Sequence, residues 1–267
     1  MFRDFFGKIG NTTGFLLAGT ARLGALFADV VKYFVGVLIR PRTLPRETFA
    51  YQMLTMGLDS AGIISLVGAS VGAVLALQAA YSLKEFGALN YTGSLVCVSM
   101  ARELGPLIAS IVICGRIGAR IAAELGSMQV QEEVDALTTM AIHPIRYLVL
   151  PRVMALLIML PCLTVVANWM GMIGGYLVGR FALGINPEVY VANCIRALVL
   201  KDIYTGLIKS SLFSILIALV SCHQGLSVQG GSDAVGKATT QAVVISIVLI
   251  IVVDCLATAV IYYALPN

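Results

Sequence analysis

Five ionisable residues stand inside long apolar runs: Asp59, Arg102, Glu103, Lys209 and Asp254. A charge at the centre of a bilayer costs from ~2.5 kcal/mol upward, so each of these must face a protein interior or a polar cavity and find a partner there. Neighbouring residues on a helix point in different directions, so Arg102 and Glu103 do not serve one another. The expectation is that Glu103 pairs with Lys209, and Arg102 with another acid or a lipid phosphate. Such pairs either lock spans together or act in gating and headgroup contact. Pro106 follows them and is expected to loosen its helix, because it has no N–H for the carbonyl one turn earlier.

A second chemical signal lies between two apolar segments. Over Gly126 to Ala141 the acids Glu132, Glu133 and Asp135 share one side of an expected helix, with Val130, Val134, Leu137 and Met140 on the other. His143-Pro144 closes it. A short amphipathic helix of this kind suits docking into a groove on a soluble partner, where apolar anchors supply contact and charges set register. Resting on anionic headgroups would be a poor use of three acids.

Other motifs resolve to nothing catalytic. Gly231-Ser232-Asp233-Ala234-Val235-Gly236-Lys237 has phosphate-loop spacing, but Ala238 stands where Ser or Thr would hold magnesium, and no strand precedes it. The two histidines, His143 and His223, have no paired carboxylates for a catalytic triad. Six cysteines are scattered singly, without a C-x-x-C pair, and read as inert buried thiols.

The elements that must position these residues follow from composition. Hydrophobic residues make up 59% of the 267 and charged ones 12%, with a mean hydropathy of +0.93. That excludes an ordinary soluble domain, and the long unbroken apolar runs exclude a β-barrel. The expected fold is all-α, a polytopic integral membrane protein with about five transmembrane helices. The spans are predicted at about Gly57–Leu83, Tyr91–Gly115, Val153–Val178, Ile203–Cys222 and Gln241–Leu265. A surface helix is expected within Arg180–Lys201, opening at Asn186-Pro187-Glu188. Gly68 and Gly72 have the G-x-x-x-G spacing that permits close helix approach.

Residues 1–46 read as an amphipathic interfacial helix ending in a basic hinge, and 47–267 as one transmembrane domain with a charged loop at about 116–152. The N-terminus lacks the shape of a signal peptide. Basic residues concentrate before the first span and after the second, which places both regions in the cytosol, although Arg180, Arg196 and Lys201 fall on the outer side.

Ala101-Arg102-Glu103-Leu104-Gly105-Pro106, Gly115-Arg116-x-Gly118, Ala123-Glu124-Leu125-Gly126-x-Met128, and Asp135-Ala136-Leu137 through Ala141-Ile142-His143-Pro144 to Pro151-Arg152 together resemble the MlaE/YrbE-type permease family. The likeness extends to Leu207-Ile208-Lys209-Ser210 and Ala238-Thr239-Thr240. His143 departs from the Asp commonly found before the proline, so no acid role carries over to it. The resemblance implies the membrane subunit of an ABC lipid transporter, in a bacterial inner membrane or an organelle envelope of bacterial descent, the missing transit peptide favouring the former. It further implies a second copy of the chain, two cytosolic ATPase subunits carrying ATP and Mg, a periplasmic MCE-domain protein, and a phospholipid cargo.

On that footing Glu132, Glu133, Asp135, Leu137, Met140, His143 and Pro144 form the ATPase-coupling segment. Arg102, Glu103, Lys209 and Asp254, with Leu75, Gln78 and Tyr81, surround a lipid cavity. No reaction, metal, cofactor or nucleic acid is expected on this chain. The rival reading is a gradient-driven secondary transporter using Glu103 and Asp254 as a proton relay, and a third makes the chain a membrane anchor that only assembles partners.

Overall fold

A lipid solvent leaves no water for backbone groups, so an apolar chain of this kind must satisfy its hydrogen bonds within helices. The computed structural model describes residues 46–264 together with Ala28 and Lys32, and the expected interfacial helix therefore lies outside the described residues apart from these positions and Arg46. Of the described residues 90% are helical and none lies in a strand. Among the described residues five helices are long and apolar enough to cross a membrane: Phe49–Glu85, Leu89–Val130, Ile145–Phe181, Leu200–Leu226 and Ser232–Ile261.

Spans one and three form the most extensive pairing, and glycine is the reason. A β-carbon added at Gly72 would lie 1.9 Å from the Gly171 carbonyl oxygen, and one at Gly174 would lie 2.0 Å from that of Ala69. Gly68 meets Ala167 in the same way, at 2.8 Å. The two backbones thus touch directly, which maximises packing where the hydrophobic effect between helices is absent. Span four runs through the middle of the bundle, with Lys209, Phe213 and Ile217 fully buried against spans two, three and five. Span five is peripheral, only 11% of its most apolar stretch being buried.

The structure moves several boundaries. Span two does not stop at Gly115 but continues to Val130, through π-helical turns at Met100–Leu104 and Cys114–Gly118. The charged residues that suggested a loop from 116 find partners along the helix and on its neighbours. Arg116 donates to Ser60 at 2.8 Å, Arg120 to Glu124 at 2.6 Å, and Arg152 of span three to Glu124 at 3.2 Å. Span five likewise begins at Ser232, so the phosphate-loop look-alike is a helical turn with Lys237 exposed on it.

The helix expected over Gly126–Ala141 is broken in two. Span two ends at Val130, Glu132 turns the chain with a left-handed φ of 60°, and a separate loop helix occupies Glu133–Thr139. Ala141, at φ 59°, ends it with a second left-handed residue. At the opposite end of the bundle, an outer helix spans Pro187–Ala197, its first turn capped by Asn186, whose side chain accepts from the Glu188 N–H at 2.9 Å.

Gly72→Ala is expected to destabilise the protein by about 1–3 kcal/mol, because the new methyl meets backbone that cannot rotate away. Gly62→Ala, where nothing lies within 4 Å, is the matched control and should raise stability by about 0.5–1 kcal/mol, the helix-propensity gain alone. Thermal unfolding of both variants in one detergent checks the pair.

Candidate functional site

The first π-helical turn places the charges. Pro106 supplies no N–H, and its ring crowds the carbonyl four residues back, which belongs to Arg102. The helix accommodates this by widening: the Gly105 N–H donates to the Met100 carbonyl, an i to i−5 bond, across Met100–Leu104. Arg102 and Glu103 both sit in that turn, about 20 Å along the helix from its outer end at Leu89. Gly206 of span four lies against the same turn, since a β-carbon there would stand 2.2 Å from the Ala101 carbonyl oxygen. That close approach brings Lys209, one turn further on, within reach of span two.

Lys209 is 1% exposed and carries three N–H donors. One goes to Glu103 Oε2 and one to Thr258 Oγ1 at 2.7 Å, while Asp254 Oδ1 lies 3.0 Å away at ion-pair distance but off the hydrogen-bond direction. Thr258 has Glu103 Oε1 at 3.1 Å and the Asp254 carbonyl at 2.8 Å within range of its single proton. Two carboxylates from spans two and five thus share one ammonium from span four.

The partner of Arg102 is Asp202, with Nε to Oδ1 at 2.6 Å. Asp202 is 2% exposed and sits in the first turn of span four, where its other oxygen accepts from the Val199 N–H at 3.2 Å. The positive end of the helix favours a carboxylate there. Sequence reasoning left this residue out, because it stood at the edge of an expected surface helix. Its sequence signal is an acid three residues after Val199 at the start of an apolar run.

The network is not closed. The Arg102 and Glu103 side chains remain 49% and 39% exposed beside the buried Lys209. Leu75 packs against the small cluster of Ala76, Val96 and Met100, whereas Gln78 and Tyr81 stand exposed on the open face of span one. None of these three lines the open-sided crevice of about 420 Å³ that lies between the outer helix, span three and the start of span two. Asp59 is exposed near the other end of span one.

On the loop helix, Glu132, Glu133 and Asp135 are exposed, Met140 is exposed beside them, and His143 stands at the surface before the half-buried Pro144. Leu137, expected on the docking side, instead packs against the bundle core together with the buried Val134. The apolar stripe therefore holds the loop helix to its own chain, and the acids face outward. Among the described residues no group of three or more His, Cys, Asp or Glu side chains is arranged to hold a metal ion.

Five spans among the described residues, a buried ion network and a short acidic helix at one end define a polytopic membrane protein. The chain belongs to the MlaE permease family: the family model described as Permease MlaE matches residues 49–260. A probable ABC transporter permease protein of Rickettsia typhi is 41% identical over 255 residues, covering 96% of this chain and 98% of its own. One from Synechocystis is 37% identical over 231 residues, 86% of this chain and 87% of that protein. The chloroplastic protein trigalactosyldiacylglycerol 1 of Arabidopsis thaliana is 37% identical over 203 residues, 76% of this chain and 58% of the relative. The protein is accordingly an ABC transporter permease subunit of this family.

Lys209→Met is expected to destabilise the chain by about 3–5 kcal/mol, since it leaves Glu103 and Asp254 facing each other without a cation. Adding Glu103→Gln to that variant should recover part of the loss, and a thermal-unfolding double-mutant cycle measures the coupling.

Proposed function

We propose that this chain moves a phospholipid or related amphiphile between a bacterial inner membrane and a periplasmic MCE-domain protein, driven by ATPase subunits that bind ATP and Mg. The observation that carries the reading is the half-exposed state of Arg102 and Glu103 at membrane depth. Charges in that position need a polar cover, and lipid tails supply none.

A second copy of the chain supplies it. Spans one and five both turn apolar faces outward, with Leu66, Val74, Leu77, Val248 and Leu256 exposed on them. Joining two copies along that side encloses a space whose walls are greasy and whose polar groups are Arg102, Glu103, Gln78 and Tyr81. An amphiphile fits such a space, with its phosphate drawn toward Arg102 and its tails along the apolar walls. The name of the Arabidopsis relative, a glycerolipid's, supports cargo of that class. A break in the Glu103–Lys209–Asp254 cluster would then accompany a change in cavity width.

The ATPase contact is assigned to the loop helix, through Glu132, Glu133, Asp135, Met140, His143 and Pro144. Val134 and Leu137 anchor that helix to the bundle, so force applied to its acids passes directly into spans two and three.

The test is affinity purification from native membranes in mild detergent, comparing wild type with Glu133→Lys/Asp135→Lys. An ATPase and phospholipid are expected with the wild type, and at least tenfold less ATPase with the variant. Transport in vesicles that follows a pH gradient and ignores ATP would instead establish the gradient-driven carrier.

A further inference from the structure

The six cysteines stand singly along the sequence, yet the fold brings two of them together. Cys97 lies in the first turns of span two and Cys194 in the outer helix, and both are free thiols. The Cys97 thiol donates a hydrogen bond to the Cys194 sulfur. Separate contacts on either side fix this approach. Ser94 Oγ donates to the Asn193 carbonyl at 3.1 Å, and Asn193 Nδ2 donates to the Asn90 carbonyl at 2.8 Å. Gly93, one turn before Cys97 on the same helix face, leaves the space that the Cys194 side chain occupies. A β-carbon there would lie 3.0 Å from the Cys194 sulfur and 3.1 Å from the Tyr190 carbonyl oxygen.

A disulfide needs closely approaching backbones, with Cα atoms within about 7 Å, and side chains aimed at one another. Glycine at 93 permits the approach, and the thiol hydrogen bond supplies the aim. The two thiols also differ as an attacking and a resolving cysteine must. Cys97 is 1% exposed, whereas Cys194 is half-buried on the outer helix and open to a reagent. The hydrogen bond from Cys97 holds the Cys194 thiol below its ordinary pKa, against the opposing effect of burial, and so favours the reactive thiolate there. The compartment agrees with the geometry. The outer helix lies at the opposite end of the bundle from the loop helix, whose end the basic residues place in the cytosol, where thiols are kept reduced. The cysteine pair therefore stands on the side where disulfides persist.

We propose that Cys97 and Cys194 form a disulfide that staples the outer helix to the start of span two. The oxidant is an external disulfide, carried by a small thiol compound or a thiol–disulfide oxidoreductase. The Cys194 thiolate attacks one sulfur of that disulfide, whose S–S bond breaks and releases the first donor thiolate. The Cys97 thiolate then attacks the Cys194 sulfur of the mixed disulfide and expels the second. The two protons given up by the cysteines end on the two donor thiols, which carry away the electron pair. The new bond runs in parallel with the Arg102–Asp202 ion pair. Arg102 follows Cys97 by five residues and Asp202 follows Cys194 by eight, so the same two chain segments are tied once by charge and once by sulfur. The staple fixes the segment that presents Arg102, and it requires nothing of the cargo.

The test counts thiols. Native membranes holding the full chain are dissolved at once in denaturant with a polyethylene-glycol maleimide, with or without prior reduction by dithiothreitol, and the adducts are resolved on a gel. Four adducts from the six cysteines are expected without reduction and six with it. Cys97→Ser and Cys194→Ala should each give five in both lanes, and because the chain is denatured the count does not depend on how well either variant folds. Cys162→Ser, at an exposed cysteine outside the pair, should give three and five. Reduction should lower the melting temperature of the detergent-purified wild type by about 5–10 °C and leave that of the Cys97→Ser/Cys194→Ala double variant unchanged. Six adducts from unreduced wild type would overturn the proposal. So would a thiol count that still rises on reduction in Cys97→Ser or Cys194→Ala, or a wild-type melting temperature indifferent to reductant.

Discussion

One buried ammonium organises this protein. Lys209 lies in the centre of the bundle with 1% of its surface exposed, and only carboxylates and a hydroxyl from other spans make that position tolerable. Spans two, four and five are consequently obliged to converge at one depth. The convergence in turn requires Gly206, whose missing side chain lets span four lie against the Ala101 carbonyl. It also accompanies the π-helical turn that Pro106 favours. A regular α-helix in span two would carry Glu103 around by a different angle, because one residue fewer would fit in that turn.

The remainder of the bundle divides into a rigid part and an open part. Spans one and three touch through Gly68, Gly72, Gly171 and Gly174, an arrangement with no side chains free to slide or repack. Span five, by contrast, buries a narrow stripe of Ala242, Ser246 and Ile250, adds the contacts of Asp254 and Thr258 with Lys209, and turns most of its surface outward. The ion cluster stands where this peripheral helix meets spans two and four. The same seam is where Arg102 and Glu103 remain half-exposed.

At the loop-helix end, charge serves a different purpose. Glu124 accepts from both Arg120 and Arg152, which ties span two to span three just before the chain turns. The turn then uses left-handed Glu132 and Ala141 to bracket seven helical residues, Glu133–Thr139. Non-glycine residues adopt that conformation at a cost of roughly 1–2 kcal/mol, so the bracket must be maintained by its surroundings. Val134 and Leu137 provide that support from beneath.

The sequence by itself determined the membrane environment, the number of spans and the pairing of Glu103 with Lys209. Hydropathy is a property of composition, and a charge inside an apolar run demands an opposite charge whatever the fold. The G-x-x-x-G spacing at Gly68 and Gly72 was equally visible, but that it meets Gly171 and Gly174 was not, because spacing names a face and not its partner. Only the tertiary structure decided that Asp202 holds Arg102, that Leu137 faces inward, and that the charges from Arg116 to Glu124 ride on a continuing helix. Each of these depends on which side chains stand opposite across a gap between helices, and hydrophobic periodicity along one chain carries no information about what lies across that gap.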